Sequence, residues 1–206
     1  MSDDAVPNIR SLKALRAAEA ACKRCPLHRN ATQVVPGEGP ARARMMMVCE
    51  QPGDQEDRQG HPFVGPAGGL LAKALDAAGI DRDEVFVTNA VKHFKFEPRG
   101  KRRLHKRPNA HEIERCHLWL AFERKLVKPS LVVALGATAV RSVSGRPTPI
   151  SRIRGKLLPL DDGGRMLATV HPSAILRAPD DTARRAMFKA FVADLKTCAR
   201  ALSEAA

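Results

Sequence analysis

Four short apolar runs occur along the chain, and each has the composition of a strand that is buried on both faces. They lie at residues 45–48, 85–88, 131–135 and 166–170. None of them alternates with polar residues, which is typical of parallel strands covered by helices on both sides. We therefore predict a central sheet of four parallel strands.

Amphipathic segments between and around these runs predict helices. The segments are residues 12–21, 68–78, 109–128 and 182–202. Gly79 ends the second of them, Asn109 can cap the third, and Pro129 stops it. Helices that precede, separate and follow parallel strands predict an α/β fold, a three-layer α/β/α sandwich around the four-stranded sheet.

Polar residues follow the predicted strands at their carboxyl ends. The first strand is followed by Glu50, Gln51 and Asp54. The second is followed by Asn89, and the fourth by His171. Ligands of open parallel sheets bind beyond the carboxyl ends of the strands, so we expect these side chains to converge on one cleft. The alternative is that they serve as turn and helix caps, a role that suits Asp54 and Asn89 in particular.

The charge of the chain is strongly positive. Lys and Arg number 35 against 22 Asp and Glu, which gives a formal net charge of +13 at pH 7. Eight of these cations fall within residues 92–107. Such clustering favours binding to a polyanion, and nucleic acid is the leading candidate. The phosphate contacts predicted from this basic loop are Lys101, Arg102, Arg103 and Arg107.

The length of 206 residues suits one domain over residues 1–206, with flexible ends expected at 1–10 and 203–206. No apolar run approaches the roughly 18–20 residues of a membrane helix, so we expect no membrane partner. The start, MSDDAVPNIR, has no apolar signal-peptide core, and we expect a cytoplasmic protein. A monomer is the default expectation.

Five cysteines are present, at positions 22, 25, 49, 116 and 198. An odd number in a cytoplasmic chain argues against a disulfide framework. Cys22 and Cys25 form a C-x2-C pair that ends a helical segment and precedes Pro26. A redox dithiol more typically follows a strand and opens a helix. Ligation of a metal or an iron–sulfur cluster is therefore the better interpretation.

Five motifs occur in an order that resembles the uracil-DNA glycosylase superfamily. They are EQPGD from residue 50, PFVGPAG from 62, TNAVKHFKF from 88, KRRLH from 101, and HPS from 171 with a nearby Leu-Arg. More narrowly, they are similar to the X-type enzymes (UdgX), relatives of the iron–sulfur family 4 glycosylases, over residues 20–191. The resemblance implies the same four-stranded parallel sheet between helices. It also implies an enzyme that flips deoxyuridine out of DNA and cleaves its N-glycosidic bond.

The resemblance also assigns residues to the base. Asn89 would read the uracil edge, since its amide offers both a donor and an acceptor. Phe63 would stack on the flipped ring; the alternative is a core aromatic. His171 would donate to uracil O2 as negative charge develops, with a structural histidine as its alternative.

Further contacts follow from the same motifs. Gln51 would hydrogen-bond the base or position a water, and main-chain N–H groups around Gln51 to Asp54 would bind uracil oxygens, with Gly53 and Asp54 among the substrate-binding residues. The expected contacts to the DNA strand outside the basic loop are Arg154 and Ser173. For Arg154, in a segment that resembles a DNA contact of the family, a solvated basic turn is an equal alternative.

His105 is the residue that separates X-type enzymes from their relatives. In those enzymes the histidine of this motif attacks the sugar carbon and stays bonded to the DNA. A neutral histidine can act as a nucleophile, and the surrounding cations disfavour its protonated form. Glu50 would orient or deprotonate it, or stabilise the sugar cation. The alternative for His105 is a contact to phosphate.

Family 4 relatives hold a [4Fe–4S] cluster with four cysteines. By resemblance, Cys22, Cys25 and Cys116 take three of these positions, and His93 stands at the fourth. Histidine can replace cysteine on cluster iron. The alternative is an open iron with His93 nearby, and in either case the expected role is structural. Cys49 stands where the family usually has Gly, and we interpret it as a small buried thiol.

Three functions remain open at this stage. The first is a glycosylase that excises uracil, with single-stranded DNA the preferred substrate, and forms a covalent His–deoxyribose adduct. The second is an ordinary family 4 enzyme that turns over and releases abasic DNA. The third is a non-catalytic iron–sulfur DNA-binding module, against which Glu50 and His171 at one strand edge argue.

Overall fold

The computed structural model describes residues 8–204. Within them, the strands are β1 (Met45–Cys49), β2 (Val85–Asn89), β3 (Phe96–Arg99), β4 (Arg102–His105), β5 (Leu131–Leu135), β6 (Leu157–Pro159) and β7 (Arg165–Thr169). The helices are α1 (Leu12–Ala20), α2 (Asp54–Gln59), α3 (Pro66–Ala78), α4 (Ala110–Val127), α5 (Ala137–Ser144), α6 (Ile150–Ile153), α7 (Pro172–Leu176) and α8 (Asp181–Ser203).

The central sheet has the strand order β2-β1-β5-β7-β6. The four predicted strands are β1, β2, β5 and β7, and they pair in parallel. The predicted α/β fold is confirmed, but the sheet has five strands rather than four. The fifth, β6, pairs antiparallel with β7 at the sheet edge. The three residues of β6 are partly or fully exposed. This strand therefore lacks the long apolar run from which the four buried strands are predicted.

Both faces of the sheet are covered. Alternate β1 side chains point to opposite faces, as in any strand. Met45 and Met47 lie in the core cluster that includes residues of α3 and α8. Met46 and Val48 lie in a second cluster, which includes residues of α4 and α5. Every residue of β1 is therefore buried, which explains its uninterrupted apolar sequence.

The helix predicted from Asn109 is confirmed as α4. The Asn109 side chain accepts from the main-chain N–H of Glu112 at 2.9 Å, and Glu112 accepts from that of Asn109 at 2.7 Å. This reciprocal capping satisfies N–H groups that the first helical turn leaves without partners. Lys128, with φ of 54°, ends the helix in the left-handed region just before Pro129.

The expected basic loop is a β-hairpin. Strands β3 and β4 pair antiparallel, with Phe96 opposite His105 and Arg99 opposite Arg102. The turn is made by Gly100 and Lys101, and Gly100 has a φ of 57°. Most hairpin residues are exposed, so their polar sequence gives little apolar alternation from which strands could be predicted.

No helix within residues 8–204 is long and apolar enough to cross a membrane. The expectation of flexible ends at residues 1–10 and 203–206 falls mainly on residues outside that range. Ser203, inside it, is the last residue of α8.

Candidate active site

The carboxyl edge of the sheet brings the strand-end residues together. Cys49, the last residue of β1, is in register with Asn89, the last residue of β2. The connection after β1 is held to β2 by Ala90 N, which donates to Cys49 O at 2.8 Å, and by Val91 N, which donates to Glu50 O at 3.0 Å. Asn89 is 3% exposed. Cys49 is buried in the core, which agrees with its interpretation as a small buried thiol.

Glu50 lies at the centre of a group of polar side chains. Its Oε2 accepts a hydrogen bond of 2.6 Å from Thr138 Oγ1, at the start of α5. Its Oε1 lies 3.5 Å from His105 Nε2, and its Oε2 lies 3.7 Å from Arg107 Nε. The His105 side chain is 52% exposed. A carboxylate, an imidazole and a guanidinium therefore meet at a solvent-accessible position.

The protonation of His105 is set by its surroundings. Partial burial lowers the pKa of this imidazole below its usual 6.5, and the charges of Arg177 and Arg107 lower it further. The carboxylate of Glu50 opposes them but does not reverse the shift. His105 is therefore mainly neutral at pH 7, with a lone pair on one ring nitrogen.

His171 caps the start of α7 with its ring. The main-chain N–H of Ser173 donates to His171 Nδ1 at 3.1 Å, and Ser173 Oγ lies 2.8 Å from the same atom. A nitrogen that accepts from an amide carries no proton, so the neutral ring carries its proton on Nε2. Burial, together with the charges of Arg177 and His105, lowers the pKa of His171 from 6.5 to about 4. His171 is thus a neutral Nε2–H donor at pH 7.

Gln51 holds the base of the hairpin. Its Nε2 donates to Lys95 O at 3.1 Å and to Lys106 O at 3.0 Å. Its Oε1 accepts from Lys95 N at 3.1 Å. One buried carboxamide therefore bonds the main chain just before β3 and just after β4. This fixes the hairpin, and with it His105, relative to the end of β1.

Arg103 holds the same hairpin from its other side. Its Nη1 donates to Asp57 Oδ2 at 2.6 Å, and its Nε donates to Asp54 Oδ1. Its guanidinium also lies over the rings of Phe94 and Phe96, 5.4 and 4.9 Å from their centres. Burial alone would raise the pKa of Asp54, but hydrogen bonds from Arg58 and Arg103 lower it. Arg103 is thus engaged within the protein, unlike the exposed Lys101 and Arg102 at the hairpin tip.

Phe63 has an unusual backbone conformation next to the site. Its φ is 62°, in the left-handed region that non-glycine residues rarely adopt. A Cβ on Gly68 would lie 1.7 Å from Phe63 O, so only glycine fits there. The buried Glu56 accepts from the main-chain N–H groups of Gly53 at 3.1 Å and Gly65 at 2.8 Å. These contacts hold the Phe63 segment against the turn that follows β1.

A buried ion pair lies beneath Asn89. Lys92, fully buried, donates from Nζ to Glu123 Oε2 at 2.7 Å, to Thr88 Oγ1 at 2.5 Å and to Asn89 O at 2.9 Å. Burial alone would lower the pKa of Lys92, but Glu123 and Glu19 raise it. The charged ammonium therefore fixes the main chain that presents Asn89.

The three cysteines expected to bind a cluster lie in one apolar cluster. Cys25 and Cys116 are buried members, and Cys22 packs against them. Trp119 Nε1 donates to Cys22 Sγ at 3.1 Å, and the main-chain N–H of Lys92 donates to Cys116 Sγ at 3.2 Å. Thiol donors that share an apolar setting and accept N–H bonds suit an iron–sulfur cluster. Within residues 8–204, no group of three or more His, Cys, Asp or Glu is arranged to hold a metal ion.

The fourth expected ligand, His93, is 4% exposed. Burial, together with the charge of His28, lowers its pKa to about 4, so its ring is neutral. It directly follows Lys92, whose main-chain N–H binds Cys116. A neutral, buried imidazole is a suitable ligand donor.

The remaining residues expected to contact DNA differ in their surroundings. Arg107 is exposed over 79% of its side chain. Arg154 forms an ion pair of 2.8 Å with Asp194 on α8, and Thr169 donates to the same carboxylate at 2.5 Å. Ser173 is engaged with His171.

Sequence reasoning missed several residues that shape the site. Thr138 binds Glu50, and its position after β5 was the available signal. Arg177 lies in the Leu-Arg that follows HPS, yet its effect on both histidines depends on distance in space. Glu56 and Lys92 gave no sequence signal, because their role depends on burial.

Comparisons with known proteins agree with this geometry. Residues 36–196 match the family model of the Uracil DNA glycosylase superfamily, and the chain belongs to that superfamily. The Type-4 uracil-DNA glycosylase of Thermotoga maritima is 39% identical over 165 residues, which cover 80% of this chain and 82% of that protein. The Type-4 enzyme of Archaeoglobus fulgidus is 34% identical, over 77% of this chain and 79% of that protein. A Type-5 uracil-DNA glycosylase of Pyrobaculum aerophilum is 33% identical, over 68% of this chain and 66% of that protein.

Proposed function

We propose that this protein is a uracil-DNA glycosylase of the X type, which excises uracil from single-stranded DNA and stays bonded to the sugar through His105. The observation that carries the proposal is the neutral imidazole of His105, 3.5 Å from Glu50 at the carboxyl edge of the sheet. A neutral imidazole is a nucleophile, and an adjacent carboxylate stabilises the positive charge that it acquires on attack.

Binding of the base uses the residues around Asn89. The Asn89 carboxamide pairs with the uracil edge, and the ring of Phe63 stacks on the flipped base. The main-chain N–H groups of Gln51 and Asp54 bind uracil oxygens, whereas that of Gly53 is used by Glu56. The Gln51 side chain contributes indirectly, because its carboxamide is used to hold the hairpin.

Cleavage places positive charge on the sugar and negative charge on the base. His171 Nε2–H donates to uracil O2 and stabilises the anion, without any transfer of its proton. Glu50 stabilises the sugar cation by its negative charge. Both groups act at a partly buried position, where electrostatic interactions are stronger than in water.

The covalent step uses the lone pair of His105. The unprotonated ring nitrogen bonds to C1′ of the deoxyribose, and the electron pair of the glycosidic bond leaves with uracil N1. The ring becomes an imidazolium beside Glu50. Loss of its remaining N–H proton to solvent then gives a neutral, alkylated imidazole.

Ordinary turnover is the second candidate, in which water attacks C1′ and abasic DNA is released. Ordinary turnover is favoured by the names of the relatives, several of which are Type-4 uracil-DNA glycosylases. His105 would then contact phosphate. Replacing it would change the affinity for DNA and leave the product the same.

We also infer a [4Fe–4S] cluster held by Cys22, Cys25, Cys116 and His93. Its support is the shared apolar setting of the three thiols and their N–H donors. When bound, the cluster would supply cross-linking rather than catalysis. It would connect the segment after α1, the β2–β3 connection and α4. Iron and sulfide analysis of anaerobically purified protein tests this assignment.

The protein is further proposed to act as a cytoplasmic monomer on the DNA backbone through Lys101, Arg102 and Arg107. Arg154 and Ser173 are secondary candidates, since each already has a partner in the protein. Sedimentation of the free protein and of its DNA complex tests the stoichiometry.

A denaturing gel distinguishes the two candidate reactions. Labelled single-stranded DNA with one uracil is incubated with the protein, heated in SDS and separated beside the matching thymine oligonucleotide. The proposal expects a slower band with uracil alone, at one DNA per protein, and its loss in His105→Ser. Free abasic DNA in multiple turnovers, without that band, would refute the covalent step and leave the glycosylase assignment in place.

A further inference from the structure

A cleft of about 360 Å³ lies next to the Glu50 carboxylate. The wall nearest the reactive group contains Arg107 and Thr138, and both side chains reach Glu50. Arg141, three residues after Thr138 on α5, and the Pro147–Pro149 segment also line the cleft. The cleft is therefore continuous with the site of glycosidic cleavage, but the chemistry proposed above leaves it unused.

The lining of the cleft combines two cations with apolar surface. Arg107 and Arg141 are both exposed, and none of the described residues that line the cleft carries a carboxylate. The rest of the lining is largely apolar, with Ile113, Ala137 and Pro149 among its members. This combination matches a nucleotide, which presents an anionic phosphate and flat, weakly polar base faces.

We propose that this cleft binds the nucleotide adjacent to the target deoxyuridine in single-stranded DNA. Arg141 and Arg107 pair with its phosphate, and its base lies against the apolar lining. The inference rests on the proposed function, because continuity of the DNA strand brings this nucleotide next to Glu50. It identifies Arg141 as a substrate-binding residue that lies outside every motif of the resemblance.

The test measures affinity as the oligonucleotide grows. Single-stranded oligonucleotides carry 2′-fluoro-deoxyuridine, whose fluorine destabilises the sugar cation and so blocks cleavage. They are lengthened by one nucleotide at a time on either side, and binding to the full chain is followed by fluorescence anisotropy. One particular addition is expected to tighten binding about tenfold, as a charge-assisted phosphate contact would. A neutral methylphosphonate at that position should remove this gain.

The matched variants are Arg141→Glu and Arg42→Glu. Arg42 is an exposed arginine three residues before β1, at the opposite edge of the sheet, and its replacement changes the net charge equally. Arg141→Glu should abolish the tenfold gain, and in this variant the methylphosphonate should no longer weaken binding. Arg42→Glu should retain the gain. For binding to the longest oligonucleotide, Arg141→Ala should also reduce the salt dependence by roughly one phosphate contact.

Two results would overturn the proposal: no gain from a single nucleotide on either side, or equal loss of the gain in both variants. The proposed function fails by a separate measurement, namely the absence of uracil release from the unmodified oligonucleotide. The subsite is tested by binding affinity and the proposed function by uracil release. Either proposal can therefore fail without the other.

Discussion

Arg103 Nη1 donates to Asp57 Oδ2 at 2.6 Å, and the Asp57 side chain is completely buried. This ion pair joins the hairpin that carries His105 to helix α2. Asp57 also accepts from the main-chain N–H of Thr32 at 3.0 Å, which holds the carboxylate in place. The basic charge of the hairpin is thus divided: Arg103 fixes its position, and the residues at its tip are exposed to solvent.

Replacing Arg103 with Met should lower both stability and the rate of adduct formation. Removing one partner of a buried ion pair leaves an uncompensated charge, which costs about 3–5 kcal/mol. We expect a loss near the lower value, because Thr32 still binds Asp57. Urea unfolding gives the stability, and single-turnover gels give the rate, which should fall at least about tenfold for a displaced nucleophile. Arg102→Met, at the exposed tip, is the control and should leave stability unchanged.

Gln51→Glu should slow the reaction while the protein stays folded. The substitution preserves size and the acceptor for Lys95 N, but it replaces the two N–H donors with an oxygen facing the carbonyl groups of Lys95 and Lys106. The base of the hairpin should therefore loosen, with a rate loss on the order of 10- to 100-fold. Equal rates in the variant and the native protein would show that Gln51 does not position His105.

The sequence predicts the sheet much better than it predicts the support of His105. The strands β1 and β5 are apolar along their whole length, and β2 and β7 have apolar centres, because both faces of the sheet are covered; that pattern is local. Gln51 bonds Lys95, which lies 44 positions later in the chain, and Lys106, which lies 55 positions later. No local pattern shows such a link. Arg103 shares a basic run with Arg102, and only the fold shows which of them is paired. Motif resemblance names the reactive residues but not these contacts.

The rate of adduct formation should depend on pH through His105. Its pKa lies below 6.5, so the nucleophilic neutral form predominates above that value and is lost as the pH falls. We expect a single-turnover rate that rises with pH below 6.5 and is level between about pH 7 and 8. His105→Ser provides the control. If this variant releases uracil, its rate should lack the rise with pH that depends on His105. A rate that does not fall at any acidic pH at which the protein remains folded would contradict a histidine nucleophile.

Stability should fall in acid partly because of His171. Its pKa is about 4 in the folded protein and 6.5 when unperturbed, so between these values the unfolded chain binds the proton more readily. Stability is therefore unaffected by this group above pH 6.5 and declines as the pH falls towards 4. The difference at pH 4.5 is about 2.5 kcal/mol. Urea unfolding at pH 7 and 4.5 should show a smaller decline for His171→Gln than for the native protein.

The buried Lys92–Glu123 pair should behave as a coupled unit. Lys92→Met leaves Glu123 without its cation in a fully buried setting, and a loss of about 3–5 kcal/mol is expected. The double variant Lys92→Met, Glu123→Gln removes both charges and keeps an acceptor for the N–H of Gly37, which bonds Glu123 at 3.0 Å. It should recover part of the lost stability, so the two substitutions are non-additive in urea unfolding. Because Lys92 Nζ also binds Asn89 O, uracil recognition should stay impaired in the double variant even where stability recovers. Additive stability effects would show that the two charges are independent.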